Sequence, residues 1–389
     1  MTSTNIVIVG ALFLLTAVAF MRTPLLPDMG EELQLSATQI GLIMTFFGLG
    51  RVVTNFPAGW LADRVSSSVL SLSSAALMAV GTYAVAFGQL LSVILVGVTV
   101  VGIASASMST VAMTSLTREA PPNRRGQAMA IYSTSLMAGQ MLGPALAGFA
   151  AAAFTWRVTH SVAASLAVVV LLTIAAIAWR SARRSATAVA AGGAAKPVEQ
   201  PDLLTPWSMA AVCLIAFTVF FTMGGLLFTV AALIADEELG MSTVVIGLGL
   251  GLAGFARIVG ANISGKIADS VSRRAAILPS LIVLAVSPLM FIPLNTVTWF
   301  IGVTIFAFAT SGVAIASTVI ADRSPKRVLG RRMGLYRALG DLGLFMGPVT
   351  IAAVYEHTDR LWTMVVLAAV TVIVMALTTK ALGNRTSIN

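Results

Sequence analysis

An all-α membrane protein, with twelve transmembrane helices in two pseudo-symmetric six-helix bundles, is the fold this sequence predicts. Three observations carry that expectation. Of 389 residues, 58% are hydrophobic and only 10% charged, at a mean hydropathy of +0.94. A soluble domain carries about 25% charged residues, so this chain cannot clothe itself in polar surface. Apolar runs of the ~20 residues needed to cross a bilayer core recur along its length. Finally, the chain repeats itself without a gap: Ser36, Ile40-Gly41-Leu42, Arg51, Gly59 and Ala62-Asp63 reappear as Ser242, Ile246-Gly247-Leu248, Arg257, Gly265 and Ala268-Asp269. Even the acidic lead-in Glu31-Glu32-Leu33 returns as Glu237-Glu238-Leu239. Internal duplication in a membrane chain points to a transporter.

The apolar runs place span 1 at 5–27, span 2 at 37–62, span 3 at 69–88, span 4 at 91–116, span 5 at 127–153 and span 6 at 160–180. Span 1 has no basic leader and no small-residue cleavage site, so it reads as a retained helix. Spans 7 to 12 follow at 207–234, 243–268, 275–293, 297–321, 331–355 and 361–382. Gly126, Met129, Tyr132, Gly139 and Gly143-Pro144 of span 5 recur as Gly330, Met333, Tyr336, Gly343 and Gly347-Pro348 of span 11. Residues 1–180 therefore form one bundle and 207–389 a second in the same orientation. The stretch 181–206, with Arg183-Arg184, AVAAGGAAK and two prolines, has the composition of a flexible linker.

The formal charge of +9 does not indicate nucleic acid, because the basic residues sit in short loops between apolar runs. Of 24 Lys and Arg, all but six fall on the side of the linker; Arg22, Arg157 and Arg360 lie opposite, and Arg51, Arg257 and Arg337 fall inside spans. The positive-inside rule then puts the linker and both termini in the cytoplasm, in a bacterial inner membrane. The single cysteine, Cys213, excludes a disulfide scaffold. No phosphate-binding GK[ST] loop, metal-ligand spacing or catalytic triad pattern is present, so neither a primary pump nor a membrane enzyme is expected. The implied partners are the lipid bilayer and a small-molecule substrate, with no cofactor beyond an ion gradient and no second subunit.

Where span 2 meets the linker side, Gly59-Trp-Leu-Ala-Asp63-Arg64 resembles the loop motif of the major facilitator superfamily, and Gly265-Lys-Ile-Ala-Asp269 with Arg273-Arg274 is its second copy. In that family the glycine admits a close helix approach. The aspartate faces the positive N-terminus of a neighbouring helix, span 11 for the first copy and span 5 for the second, latching the outward-facing state. Ser66, Ser67 and Ser68 stand where the family has Gly and two basic residues, which weakens the first latch. Gly139-x-x-x-Gly143-Pro144-x-x-Ala147-Gly148 resembles the family's antiporter motif, Gly343-x-x-x-Gly347-Pro348 its companion in span 11, and Pro24-Leu-Leu-Pro27 the P-x-x-P element closing span 1. Small residues four apart also serve ordinary helix packing. Together the three resemble the twelve-span drug:proton antiporter branch. One departure counts against it: Val98 stands where span 4 of that branch carries an arginine.

Charges within a bilayer are costly and mark candidate sites. Arg51 precedes Asp63 by twelve residues, ~18 Å along a helix, and Asp341 lies at similar depth on span 11. In the superfamily spans 2 and 11 touch, so Arg51 and Asp341 are expected to pair, with Arg337 competing at i,i+4 spacing. Proton coupling and static adhesion between the halves both fit that pair. Arg257 faces no carboxylate at its depth; it suits an anionic substrate, or a hydrogen bond to Gln140. Arg22 and Asp28 flank the outer end of span 1 as secondary candidates for coupling, and His160 is expected to be solvated at the interface. Met44, Phe47, Met137, Phe221, Phe228, Tyr132 and Tyr336 are candidate walls of a cavity for loosely specified apolar ligands.

The leading expectation is export of small amphipathic compounds in exchange for protons by rocking of the two halves. The alternative is a carrier of organic or inorganic anions using Arg51 and Arg257. A receptor or scaffold on the same fold has no positive support.

Overall fold

A computed structural model describes residues 3–120, 125–184 and 204–382. Most of the proposed linker lies outside these limits. Eleven helices among the described residues are long and apolar enough to cross a membrane. The twelfth expected span is the helix Arg125–Ala151, long enough at 27 residues but less apolar. Gln127, Ser133, Thr134, Ser135 and Gln140 dilute its apolar character.

Helix ends follow local chemistry. Ser36 caps span 2 (Ala37–Arg64) through a reciprocal capping box with Gln39. The repeat keeps the serine at the head of span 8 (Thr243–Ser270), but Val245 stands in for the glutamine and no side-chain cap forms. Span 1 is the helix Ser3–Phe20, a 3-10 turn Thr23–Leu25 and the helix Leu26–Leu33. Pro24 and Pro27, which lack an N–H to continue the ladder, set that break. Span 7 departs from its twin. After Pro206–Thr222 it widens into a π-helical stretch, Met223–Val230, containing Gly224-Gly225. Thr229 Oγ1 donates to Gly224 O five residues back, at 2.9 Å, as the wider turn requires.

Position in the bundle can be read from burial. The most apolar windows of spans 1 and 7 are 67% and 78% buried, whereas those of spans 6 (Trp156–Arg184) and 12 (Arg360–Leu382) are only 28% and 33% buried. Spans 1 and 7 therefore line the middle, while spans 6 and 12 face outward. Val96 and Leu172, 64% and 62% exposed, belong to an apolar outer surface that only lipid can cover. The repeat also organises the side away from the linker. Glu32 accepts from Trp156 Nε1 and from Arg157 Nε at 2.7 Å, tying span 1 to span 6. Its repeat mate Glu238 accepts from Tyr355 Oη at 2.9 Å and from Arg360, tying span 7 to spans 11 and 12.

The two bundles meet along spans 2 and 11 (Lys326–His357) and along spans 5 and 8. Away from the linker this contact is tight. A Cβ on Gly48 would lie 2.7 Å from the backbone of Phe345, and one on Gly247 would lie 2.7 Å from Pro144 O. Thr38 N–H donates to Glu356 Oε2 at 2.7 Å, and Val349 N–H to Thr45 Oγ1 at 3.1 Å. On the linker side Gly265 and Gly334 have nothing within 4 Å of where a side chain would begin. The bundles are closed together on the face away from the linker, and no such close approach is made at Gly265 or Gly334.

Candidate functional site

The expected pair forms. Arg51 Nε donates to Asp341 Oδ1 at 2.9 Å and Nη2 reaches Oδ2 at 3.4 Å, joining spans 2 and 11 across the boundary. Asp341 is 3% exposed and, among the described residues, the one carboxylate in the fully buried set. Two further groups complete the cluster: Asn55 Nδ2 donates to Asp341 Oδ2 at 2.7 Å, and Arg51 Nη1 donates to Ser105 Oγ on span 4 (Leu91–Glu119) at 3.1 Å. Every lone pair facing the arginine is used, the condition under which a buried pair can persist.

Arg337 does not compete for Asp341, contrary to expectation. Its Nη2 donates to Tyr132 Oη at 3.2 Å and its Nη1 approaches Met113 Sδ at 3.1 Å, so it crosses from span 11 to spans 5 and 4. Asp341 is already filled by Arg51 and Asn55, and the long guanidinium stem reaches over the boundary instead. Two charged side chains of span 11, one turn apart, thus reach the first bundle.

Arg257 makes the hydrogen bond offered by Gln140: Nη1 donates to Oε1 at 2.5 Å across spans 8 and 5. Its Nε is buried with no partner. The guanidinium lines two small cavities. One, of about 10 Å³, is shared with Thr23, Gln140 and Phe228; the other, of about 40 Å³, with Phe220, Met223, Thr310 and Tyr336. Each has room for a water or two.

Arg22 is not a residue flanking the outer surface. It is 3% exposed, with Nε on Met44 Sδ at 3.2 Å, its guanidinium 4.0 Å from the Phe47 ring centre, and Nη2 unpartnered. Met44 and Phe47 therefore cage Arg22 rather than wall an open cavity. Phe20 continues this layer, edge-on to Phe47 at 5.6 Å and against Phe228 of the other bundle at 4.9 Å. His160 is likewise buried, not solvated: Nδ1 lies 2.8 Å from Trp156 O and Nε2 has no partner. Asp28 accepts from Thr243 Oγ1 at 3.0 and 3.1 Å, a link between bundles on the closed side.

The glycine motifs act inside each bundle. Cβ atoms on Gly139 and Gly143 would lie 2.6 Å from Phe13 O and 2.4 Å from Ala17 O; those on Gly343 and Gly347 would meet Phe217 O and Phe221 O at 2.2 and 2.1 Å. Span 5 thus rides on span 1 as span 11 rides on span 7, each with its proline, Pro144 or Pro348, within the helix. Gly148 alone of this set faces the other bundle, against Thr243 and Gly247. Phe221, expected as a cavity wall, is engaged in this packing and stacks on Phe217 at 5.7 Å. Met137 is half-buried and lines neither cavity. In the second loop motif the expected close approach at Gly265 is not made. Asp269 is held within its own bundle by Arg273 at 2.5 Å, which also binds Asp322 at 3.0 Å, while Arg274 is exposed. Gly59 and the Asp63 side chain fall outside the described residues; Arg64 is exposed.

Two repeated bundles, with charged, aromatic and small polar groups gathered where they meet, have the build of a membrane transporter. The chain belongs to the Major Facilitator Superfamily, whose family model matches residues 8–316 and again 212–386. It is 24% identical over 271 residues to the uncharacterized transporter YceJ of Bacillus subtilis, covering 66% of each chain. It is 25% identical over 381 residues to a chloramphenicol resistance protein of Streptomyces lividans, covering 91% of each. Against the multidrug export protein EmrB of Escherichia coli it is 25% identical over 171 residues, 44% of this chain and a third (33%) of that one. A bacterial homolog of the human lysosomal transporter Spinster, in an inward-facing and unoccupied conformation, shares the fold at a TM-score of 0.75 and 16% identity, over 98% of this chain and 97% of that one.

Proposed function

We propose that the chain exports small amphipathic compounds across the bacterial inner membrane in exchange for protons, as a monomer with both termini cytoplasmic and no nucleic-acid partner. The observation that carries this reading is Asp341, a fully buried carboxylate whose charge is held by Arg51 and Asn55 at the boundary of two bundles. A proton on Asp341 removes the attraction that ties spans 2 and 11 together at mid-membrane. A proton's arrival and departure can therefore bias the rocking of the bundles. The weak kinship with the Streptomyces resistance protein and with EmrB supports export of drug-like compounds. Val98, buried where the antiporter branch has an arginine, places the coupling burden on spans 2 and 11 in this reading.

The test uses proteoliposomes with an imposed pH gradient. Asp341→Asn is expected to abolish gradient-driven movement of chloramphenicol or ethidium while leaving substrate counterflow in place. Gradient-driven transport at the native rate in that variant would sink the proposal.

A further inference from the structure

We infer that the boundary between the bundles holds a site for an anionic group at Arg257, so that the exported compounds include amphipathic monocarboxylates. This rests on the reading of the chain as an exporter and narrows its substrate class. The argument begins from the two repeat-related arginines. Arg51 has a carboxylate, an amide and a hydroxyl around it. Arg257, at the equivalent position 206 residues on, has for its side chain one amide oxygen, that of Gln140. A neutral oxygen satisfies one N–H and leaves the charge uncompensated, which is expensive in a dry interior.

Two buried polar atoms at this place have no partner: Arg257 Nε and Thr23 Oγ1, the latter on a residue with no exposure at all. Both residues line the smaller cavity, as does Gln140. A carboxylate entering there would take two parallel N–H bonds from the guanidinium, displacing Gln140, and a third from the Thr23 hydroxyl. The guanidinium also lines the larger cavity, whose other walls include Phe220, Met223, Val313 and Tyr336. At about 40 Å³ this cavity holds only water in the present state, and its apolar walls would receive an aromatic or branched body, with the acid group on the arginine, once the bundles part there. The donors come from both bundles, Thr23 from one and Arg257 from the other, so ligand bound there senses their relative position. Arg51 takes no part, its charge being met by Asp341.

The experiment uses the purified full chain in lipid nanodiscs and two probes of one shape, 1-naphthoate and the neutral 1-naphthamide, with binding followed by calorimetry and thermal shift. Naphthoate is expected to bind at least tenfold more tightly than naphthamide. Arg257→Gln should erase that preference and Thr23→Val should reduce it severalfold; Arg257→Lys, which keeps the charge without the fork, should retain part of it and covers the case in which Arg257→Gln does not fold. Equal binding of the two probes, no measurable binding of either, or an unchanged preference in Thr23→Val and both arginine variants overturns the inference. Asp341→Asn separates the two readings. Its naphthoate preference should survive, whereas proton exchange should not. A chain that exchanges protons for ethidium yet shows no naphthoate preference keeps the exporter and loses the anion site; the reverse keeps the site and loses the exchange.

Discussion

Neutralising either end of the Arg51–Asp341 pair tests whether that contact is energetic coupling or mere proximity. The two side chains are 14% and 5% exposed, so solvent screens them little. Two unit charges at ~4 Å and an effective dielectric of ~20 attract by about 4 kcal/mol. Removing one partner of a buried pair costs about 3–5 kcal/mol, since the other is left charged and unsatisfied. At ~1.4 kcal/mol per decade, that corresponds to a shift of roughly three decades in any equilibrium the pair controls. Arg51→Gln and Asp341→Asn should each cost about 3–5 kcal/mol of stability in mixed-micelle unfolding. The double variant should cost less than their sum, leaving a coupling energy of about 2–3 kcal/mol, because an uncharged amide pair fills the same space. Single costs that add to within ~0.5 kcal/mol would refute the reasoning, and with it the idea that a proton on Asp341 loosens spans 2 and 11.

Other expectations follow from individual contacts. Tyr132→Phe removes the oxygen that Arg337 holds across the boundary and should destabilise the chain by about 1.5–3 kcal/mol, the range for a hydrogen bond to a charged group. A fall in Tm would register it; an unchanged Tm would count against that contact. Gly343→Ala drives a methyl to 2.2 Å from Phe217 O and should destabilise the chain by about 1–3 kcal/mol, measurable as a fall in Tm. Gly334→Ala meets open space and should be neutral, or stabilising by up to ~1 kcal/mol through helix propensity. Equal effects of the two alanines would show that spans 11 and 7 are not in the contact described.

Much of this architecture was legible because membrane chains obey few rules. The apolar runs placed the spans and the ungapped repeat divided them into two bundles, while the Arg51–Asp341 pair followed from their similar depth and from the superfamily resemblance, in which spans 2 and 11 touch. What stayed hidden depends on side-chain reach. Arg337 had an acid one helical turn away, yet bonds a tyrosine on another span, since the acid's oxygens were already claimed. Asn55 gives way to Ala261 in the second copy, and Ser105, like Ser311 at the same offset, looks like an ordinary hydroxyl in a helix. Arg22 and His160 sit near the ends of apolar runs, where position along the chain suggests solvent; the 3-10 turn after Phe20 and the packing of Trp156 carry them inward instead. The wide turns of span 7 had a faint signal in Gly224-Gly225, but paired glycines are too common in membrane helices to specify a π-helical register. The pairing of Arg157 and Arg360 with repeat-related glutamates could have been found by aligning the two halves on Glu32 and Glu238.

The unequal fates of Arg51 and Arg257 bear on why the two bundles share one chain. In a symmetric homodimer of six-span subunits, identical surfaces meet identical surfaces, and a guanidinium on one protomer has the same neighbours as on its partner. An acid introduced to neutralise one arginine would neutralise both. Covalent fusion lifts that constraint. Asp341 can be placed opposite one copy while Gln140 is kept opposite the other, so that a single ancestral charge comes to serve two different tasks within one translocation path.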